Sequence, residues 1–401
     1  VILPMSWSAR VGRLLGWVGG KAVVGLALSG ALLGCNPALP PLPAALPPGQ
    51  ARLRVAVLAP LSGELLPYGR TVRHAVELAF DEWNARRTSG LFLEAVAEDT
   101  PCDAIRARQV AERVIAAGMR FLIGGVCSEA AVPVARVADR SGALFIATSA
   151  THPLVTVDTH GNPRRLAFRT TFTYPQQGRA ASRFLLQTLR ADRVVVIYNA
   201  GSPFARDVTA AFHTAFTHQG GDATLLVLQP DQPFDFAAHR DALGLAEAKA
   251  VYVPDDYATL RRVYEALQQQ GIRRPILGSD WWSKHELQPA AMEDVYLVAH
   301  SSLPDAGPAA AQWAARYRAA FAVEPDTLAA LAYDAATLLA QGIAQAPSPT
   351  PEAVASTLRA MTYAGVTGRW RFDAHHNPLK QAFFLTVQNG RLQFAGSAPV
   401  E

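Results

Sequence analysis

From Arg52 onward, short runs rich in β-branched and apolar residues alternate with amphipathic helical stretches, and this alternation leaves the chain few folds. The runs are LRVAVLAP, LFLEAVAE, RFLIGG, ALFIATS, RVVVIYNA, ATLLVLQ, AVYVP, PILGSD and VYLVAHS. Between them lie stretches such as GRTVRHAVELAFDEWNAR, AIRARQVAERVIAAG and YATLRRVYEALQQQG, several closed by glycine, a helix stop signal. Strand and helix alternating in this way predict an α/β fold whose parallel sheets are covered by helices on both faces. The nine runs before residue 300 are too many for one compact sheet, so two doubly wound lobes are expected, joined by a hinge. The break is expected near FRTTFTYPQQG. One lobe would take residues 52–171 and 299–372, the other 172–298 and 373–401.

Composition removes some classes of function. With 401 residues, half of them hydrophobic, the chain can bury a large core. The net charge is +4, only four of the 37 basic residues are lysine, and the arginines are scattered through helical patterns. A nucleic-acid partner would need a clustered basic face, and none is expected.

The N-terminal 35 residues read as an export signal. Arg10, Arg13 and Lys21 precede the apolar run AVVGLALSGALLG, which stops at Cys35. A spanning helix needs about 20 uninterrupted apolar residues, and Lys21 breaks any longer candidate. The tetrad LLGC resembles a bacterial lipobox, in which the cysteine, here Cys35, takes the lipid; an ordinary signal peptide or an anchor helix is the alternative. The following NPALPPLPAALPPGQ is too rich in proline for helix and reads as a semi-rigid linker over residues 36–51.

With Cys35 set aside, Cys102 and Cys127 remain, an even pair in an oxidising exported compartment, which reads as a disulfide. The alternative is a reactive thiol at Cys127, which would want a nearby histidine; none occurs between His74 and His152.

Ligands of open parallel α/β sheets bind beyond the carboxyl ends of the strands, where loop amides and helix N-termini converge. That rule selects Ser62, Glu64 and Tyr68 after the first run, Val126, Cys127 and Ser128 after RFLIGG, and Ser149, Ala150 and Thr151 after ALFIAT. In the second half it selects Phe204, then Asp255, Asp256 and Tyr257, then Asp280, Trp281 and Trp282. Ser128 and Thr151 can offer hydroxyl and backbone donors to an anion, or can be plain helix caps. Asp280 can pair with a cation across the gap, or can simply form a turn. Trp281 and Trp282 point opposite ways on an extended segment, so one would face a ligand and the other the core. Together the set reads as a zwitterion site, with the anion on one lobe and the cation on the other.

These residues resemble the Leu/Ile/Val-binding type of type I periplasmic solute-binding proteins, subunits of ABC amino-acid importers. The likeness runs from about residue 52 to the end. It is densest in VAVLAPLSGELLPYGRTVRHAVELAFDEWN and in EDTPCDAIRARQVAERVIAAGMRFLIGGVCSEAAVPVARVADRSGALFIATSAT, with weaker agreement in FRTTFTYPQQG and AYDA. The resemblance implies the periplasmic-binding-protein type I fold and a disulfide between Cys102 and Cys127. It implies that Ser128 and Thr151 grip an α-carboxylate. The Ser149 carbonyl, the Thr151 hydroxyl and Asp280 would take the α-ammonium. Tyr257 would close over the ligand, with Tyr68, Val126 and Phe204 lining the side-chain pocket and Trp281 beside it. Phe204 stands where the family usually has tyrosine-glycine, and Asp280 where it often has glutamate.

The expected function is a lipid-anchored, extracytoplasmic binding protein of an ABC importer. It would bind an amino acid, branched-chain or otherwise apolar, and dock on permease subunits. The expected form carries no cofactor, no metal and no catalysis. No G-x-S-x-G, H-E-x-x-H or P-loop occurs, and His375 with His376 reads as surface. A lipoprotein of the same fold that senses a ligand or regulates a partner, or one that binds an amide-like solute, is the rival reading.

Overall fold

A computed structural model describes residues 51–86, 90–229, 244–282, 292–301 and 308–401. The export segment, Cys35 and the linker up to residue 50 lie outside the described residues. Strand β1 (Ala51–Ala59) shows why the sheet lies inside: its last five residues are all buried. Val55, Val57 and Ala59 point into one apolar cluster, while Ala56 and Leu58 point into another on the opposite face. A strand that is apolar on both faces is stable only under two helical layers.

Around β1 the described residues form a parallel sheet in the order β2 (Leu91–Asp99), β1, β3 (Phe121–Gly124), β4 (Leu144–Ala147) and β5 (Ala167–Arg169). One face is covered by α2 (Ala104–Ala116) and α3 (Ser128–Arg140). The other is covered by α1 (Leu66–Arg86) and by three later helices, α7 (Pro308–Phe321), α8 (Thr327–Gln345) and α9 (Pro351–Ala360). Strand β5 is absent from the nine runs read in the sequence, because three residues are too short to show a period.

The second sheet runs β15 (Arg391–Pro399), β14 (Gln381–Gln388), β10 (Val295–Ala299), β9 (Ile276–Gly278), β8 (Ala250–Val253), β6 (Arg193–Asn199) and β7 (Asp222–Leu228). It is parallel from β10 to β7, and the two late strands β14 and β15 add antiparallel. Val194 and Val196 face α4 (Tyr174–Arg183) and α5 (Pro203–His218), while Val195 and Ile197 face α6 (Tyr257–Gln269). A small antiparallel sheet of β11 (Thr362–Gly365), β12 (Gly368–Phe372) and β13 (Pro378–Leu379) buries Tyr363, Trp370 and Phe372 in the first core. The chain is α/β with two lobes, each a doubly wound sheet.

Two crossings between the lobes follow β5 and β10, and a third lies at Lys380, between β13 and β14. Polar side chains lace these segments together. The Thr170 hydroxyl donates to the carbonyls of Leu331 at 3.0 Å and Thr148 at 3.2 Å. Lys380 is buried and its Nζ donates to the Thr170 carbonyl at 3.2 Å. Burial pushes this ammonium down to about 7, opposed by the charge of Asp334. Asp334, the aspartate of AYDA, is itself buried and accepts from the hydroxyls of Tyr363 and Thr367 and from the amides of Val366 and Thr367. His300, just past β10, lies 3.3 Å from the Thr171 hydroxyl and packs on Phe172 with ring centres 4.0 Å apart. His376, expected at the surface, is instead buried: it stacks on Phe168 at 4.3 Å and reaches the Ala167 carbonyl at 3.1 Å. The tight turn after β12 folds its ring back under β5, which residue spacing does not reveal.

Lys380 gives a stability test with a definite sign. Between pH 7 and 10.5 the unfolded chain holds a proton on this lysine that the folded chain has lost, so folding becomes more favourable as pH rises through that window. Below pH 7 the cost of burying the charge is fully present. Lys380→Met should therefore melt higher than wild type at pH 7, with the difference narrowing toward pH 10. Scanning calorimetry at both pH values checks this; a difference independent of pH would contradict it.

Candidate functional site

The site is built on two loops of the first lobe that leave adjacent strands, β3 and β4. At the end of β3 the chain passes over the Leu58 carbonyl of β1, which accepts from the Gly125 amide at 3.2 Å. A Cβ on Gly124 would collide with that carbonyl, and both Gly124 and Gly125 have positive φ, so the pair of glycines is required there. Val126 and Cys127 follow, and Cys127 is joined to Cys102 by a disulfide that ties the loop to the segment before α2. Cys127 is thus a staple rather than a free thiol. It is also the N-cap residue of α3, whose first residue is Ser128.

The loop after β4 lies beside this one and is fastened to it repeatedly. Thr148 gives its amide to Gly124 at 2.8 Å and its hydroxyl to the same carbonyl at 3.3 Å. The Ser149 hydroxyl donates to the Val126 carbonyl at 3.2 Å, and the Ala150 amide to Gly125 at 3.1 Å. The His152 amide donates to the Ser128 hydroxyl at 3.3 Å. The structure therefore brings Val126, Ser128 and Ser149 together at the N-terminus of α3, with buried Thr151 between the fastened residues 150 and 152; a helix N-terminus favours an anion. Tyr68 is half-buried in the first turn of α1, the helix that follows β1. Ser62 and the Leu61 amide are held by Asp99, and Glu64 is exposed.

Behind the second loop sits a residue the sequence reading did not single out. Arg169, the last residue of β5, is fully buried and donates to the carbonyls of Ala150 and His152 at 2.8 Å and of Pro153 at 3.3 Å. It also reaches the Thr156 hydroxyl at 3.3 Å. Burial pushes its guanidinium down to about 9. Carbonyl oxygens meet its two terminal nitrogens and fix the backbone on either side of Thr151, while its Nε is buried without a partner among the described residues. FRTT carries no spacing that marks an arginine for such work. Tyr174 is a second unforeseen residue. Its amide donates to the Thr151 carbonyl at 3.2 Å, its ring meets His152 edge-on at 5.5 Å, and its hydroxyl pairs with Asp207 of α5. Burial, with Asp207 adding, pushes that phenol up. First and second lobes are thereby joined right beside Thr151.

In the second lobe, Phe204 and Trp281 meet edge to face at 5.5 Å. Trp281 is 51% exposed, an unusual exposure for tryptophan, whereas Trp282 is buried with its indole N–H on the Val298 carbonyl at 2.8 Å. The structure thus divides the two tryptophans into one outward and one core residue. Tyr257, expected to close over a ligand, differs in placement: it opens α6 with its ring in the second core and its hydroxyl donating to the Met292 sulfur at 3.4 Å. Its position one residue after the N-cap Asp256 turns it inward. Asp256 caps Thr259, and Asp255 accepts the amides of Asn199 and Asp256. Burial pushes the Asp255 carboxyl up to about 6.

Asp280 is nearly buried, at 9% side-chain exposure, and its Oδ2 lies 2.9 Å from His300 Nε2. Through His300 it is linked to Thr171 and hence to the crossing that leaves the first lobe. Among the described residues no group of three His, Cys, Asp or Glu is arranged to hold a metal ion.

The described residues thus place a pair of laced loops on one lobe, and a nearly buried acid and an exposed tryptophan on the other. The chain is 26% identical over 325 residues to the leucine-, isoleucine-, valine-, threonine- and alanine-binding protein of Pseudomonas aeruginosa, covering 80% of this chain and 86% of that one. It is 27% identical over 325 residues to a Leu/Ile/Val-binding protein of Rhizobium johnstonii, covering 78% and 85%. Among solved structures it superposes with a TM-score of 0.73 and 25% identity on the branched-chain amino acid transporter substrate-binding protein of Streptococcus pneumoniae in complex with isoleucine, covering 87% of this chain and 99% of that one. A benzoate complex from R. palustris shares the fold at 20% identity and a TM-score of 0.70, covering 87% and 97%. Residues 52–391 match the family described as periplasmic binding protein, and the chain belongs to that family of binding proteins, not of enzymes.

Proposed function

We propose that the chain captures an aliphatic L-amino acid between its lobes and hands it to the permease of an ABC importer. The observation that supports this reading is the pair of loops fastened side by side: the Ser149 hydroxyl on the Val126 carbonyl and the His152 amide on the Ser128 hydroxyl hold the segment that contains Thr151 against the N-terminus of α3. A carboxylate there would receive hydroxyl and amide donors without needing a cationic side chain. The ammonium would go to Asp280, with the Ser149 carbonyl and the Thr151 hydroxyl completing its contacts. Val126, Tyr68, Phe204 and Trp281 would surround an apolar side chain, with the exposed Trp281 rather than the core-packed Tyr257 closing over it. The named ligands of the P. aeruginosa and S. pneumoniae proteins support this choice of solute.

The mechanism is a population shift. A solute that touches both lobes only in the closed form stabilises that form in proportion to its extra contacts. Closure excludes water from the two charged ends and presents a surface for the permease. A lipid on Cys35 and the proline-rich linker would keep the protein at the outer face of the membrane, within reach of that partner.

Isothermal titration of the purified protein with L-leucine, L-isoleucine and L-valine tests the reading. At least one should bind with a dissociation constant in the micromolar range or tighter. Asp280→Ala should weaken binding by a factor of about 100 or more, the effect of removing one partner of a desolvated ion pair. Ser128→Ala should cost about tenfold, one charge-assisted hydrogen bond. Absence of binding by any of the three, or an Asp280→Ala variant with wild-type affinity, would contradict it.

A further inference from the structure

The acid assigned to the ammonium is already held by a histidine. His300 Nε2 lies 2.9 Å from Asp280 Oδ2, and the two side chains are 3% and 9% exposed. The Thr171 hydroxyl lies 3.3 Å from Nδ1 and 3.4 Å from Nε2 of the imidazole and 3.3 Å from the Phe172 carbonyl, and the ring lies on Phe172. Its amide donates to the Thr327 hydroxyl at 3.3 Å, so the main chain at His300 is fixed as well. The 2.9 Å contact suits a neutral ring that donates Nε2–H to the carboxylate. In that form the pair keeps one net negative charge, and the carboxylate is aimed by a hydrogen bond it cannot exchange with water.

We propose, resting on the amino-acid reading above, that His300 is a positioning and charge-setting residue for Asp280. As a neutral imidazole it aims the carboxylate and leaves the pair anionic for an incoming ammonium; as an imidazolium it cancels that charge and favours release.

Every charged group around the ring bears on this balance. Asp280 favours the protonated ring, while burial, the larger effect, and the nearby Lys380 oppose it, so His300 sits below its ordinary 6.5. Lys380 is in turn held by Asp334 from α8. Tyr252 of β8 feels the charge of Asp280, and burial pushes its phenol up, so it stays neutral. Its hydroxyl and that of Ser301, the residue after His300, are both buried without a hydrogen-bond partner among the described residues. The sign follows from linkage. A bound ammonium and a proton on His300 compete for one carboxylate, so amino-acid binding should expel the proton and weaken as pH falls below 6.5.

The test is titration of L-leucine into the purified protein from pH 8 to pH 5, in wild type, His300→Gln and His300→Leu. Glutamine can still donate to Asp280 but cannot take up a proton. Wild-type affinity should hold steady above pH 7 and then fall, approaching tenfold per pH unit once His300 protonates. His300→Gln should bind within about threefold of wild type at pH 8 and lose clearly less in acid; His300→Leu should lose about tenfold or more already at pH 8. Identical pH profiles for wild type and His300→Gln, or wild-type affinity at pH 8 in His300→Leu, would overturn the proposal while leaving the amino-acid reading intact. If wild type binds no L-leucine, L-isoleucine or L-valine at pH 8, the amino-acid reading fails and this inference fails with it. Should the variants misfold, imidazole nitrogen resonances of the wild-type protein decide. L-Leucine must move the titration of His300 to lower pH, and an unmoved titration overturns the proposal.

Discussion

Two basic side chains buried away from water govern this structure, and both donate to backbone carbonyls. Arg169 ends β5 and spends its guanidinium on the carbonyls of residues 150, 152 and 153, the backbone that carries Thr151. Lys380 spends its ammonium on the carbonyl of Thr170, one residue farther along the same crossing. A charge without water must be met by fixed dipoles, and dipoles that serve a charge lose their freedom. The cost of burying these groups is therefore returned as rigidity, at the loop that carries Thr151 and at the crossing beside it. Asp334, buried under four donors of the neighbouring hairpin, supplies the compensating negative charge and ties α8 to the same junction.

This rigidity has a functional consequence. A binding protein that closes by rotation needs one surface that does not deform, so that ligand contacts are won by movement of the lobes and not lost to sagging loops. The loops after β3 and β4 meet that need through their mutual hydrogen bonds, the Cys102–Cys127 bridge and the arginine behind them. The second lobe contributes a different kind of group. Trp281 stands exposed against Phe204, as a side chain does when its cover arrives only with a partner, and Asp280 is kept in place by His300.

Much of this was legible in the chain. Apolar runs between helical stretches determine parallel sheets because a strand buried on both faces has no polar side to show, and Val55 to Ala59 is such a strand. The strand-end rule placed Val126, Ser128, Ser149 and Thr151 in the loops after β3 and β4, where the structure has them, since it depends on chain direction alone. Arg169, Tyr174 and His300 escaped for a common reason. Each acts through a carbonyl, a ring or a carboxylate that lies distant in sequence or belongs to another loop, and no local period encodes such a meeting. Tyr257 packs in the second core because strand-end logic gives a residue its address but not the rotation of the helix that begins there. His376 was likewise hidden by a turn that folds it beneath Phe168.

The central claim is that one small zwitterion is neutralised from both lobes at once, its anionic end by the laced loops and its cationic end by the acid that His300 holds. A crystal structure of the protein grown with L-leucine measures this most directly. The account predicts the carboxylate within hydrogen-bond distance of Ser128 and Thr151, and the ammonium within the same distance of Asp280. A leucine bound in the reverse orientation, or held by one lobe alone with Asp280 untouched, would contradict it.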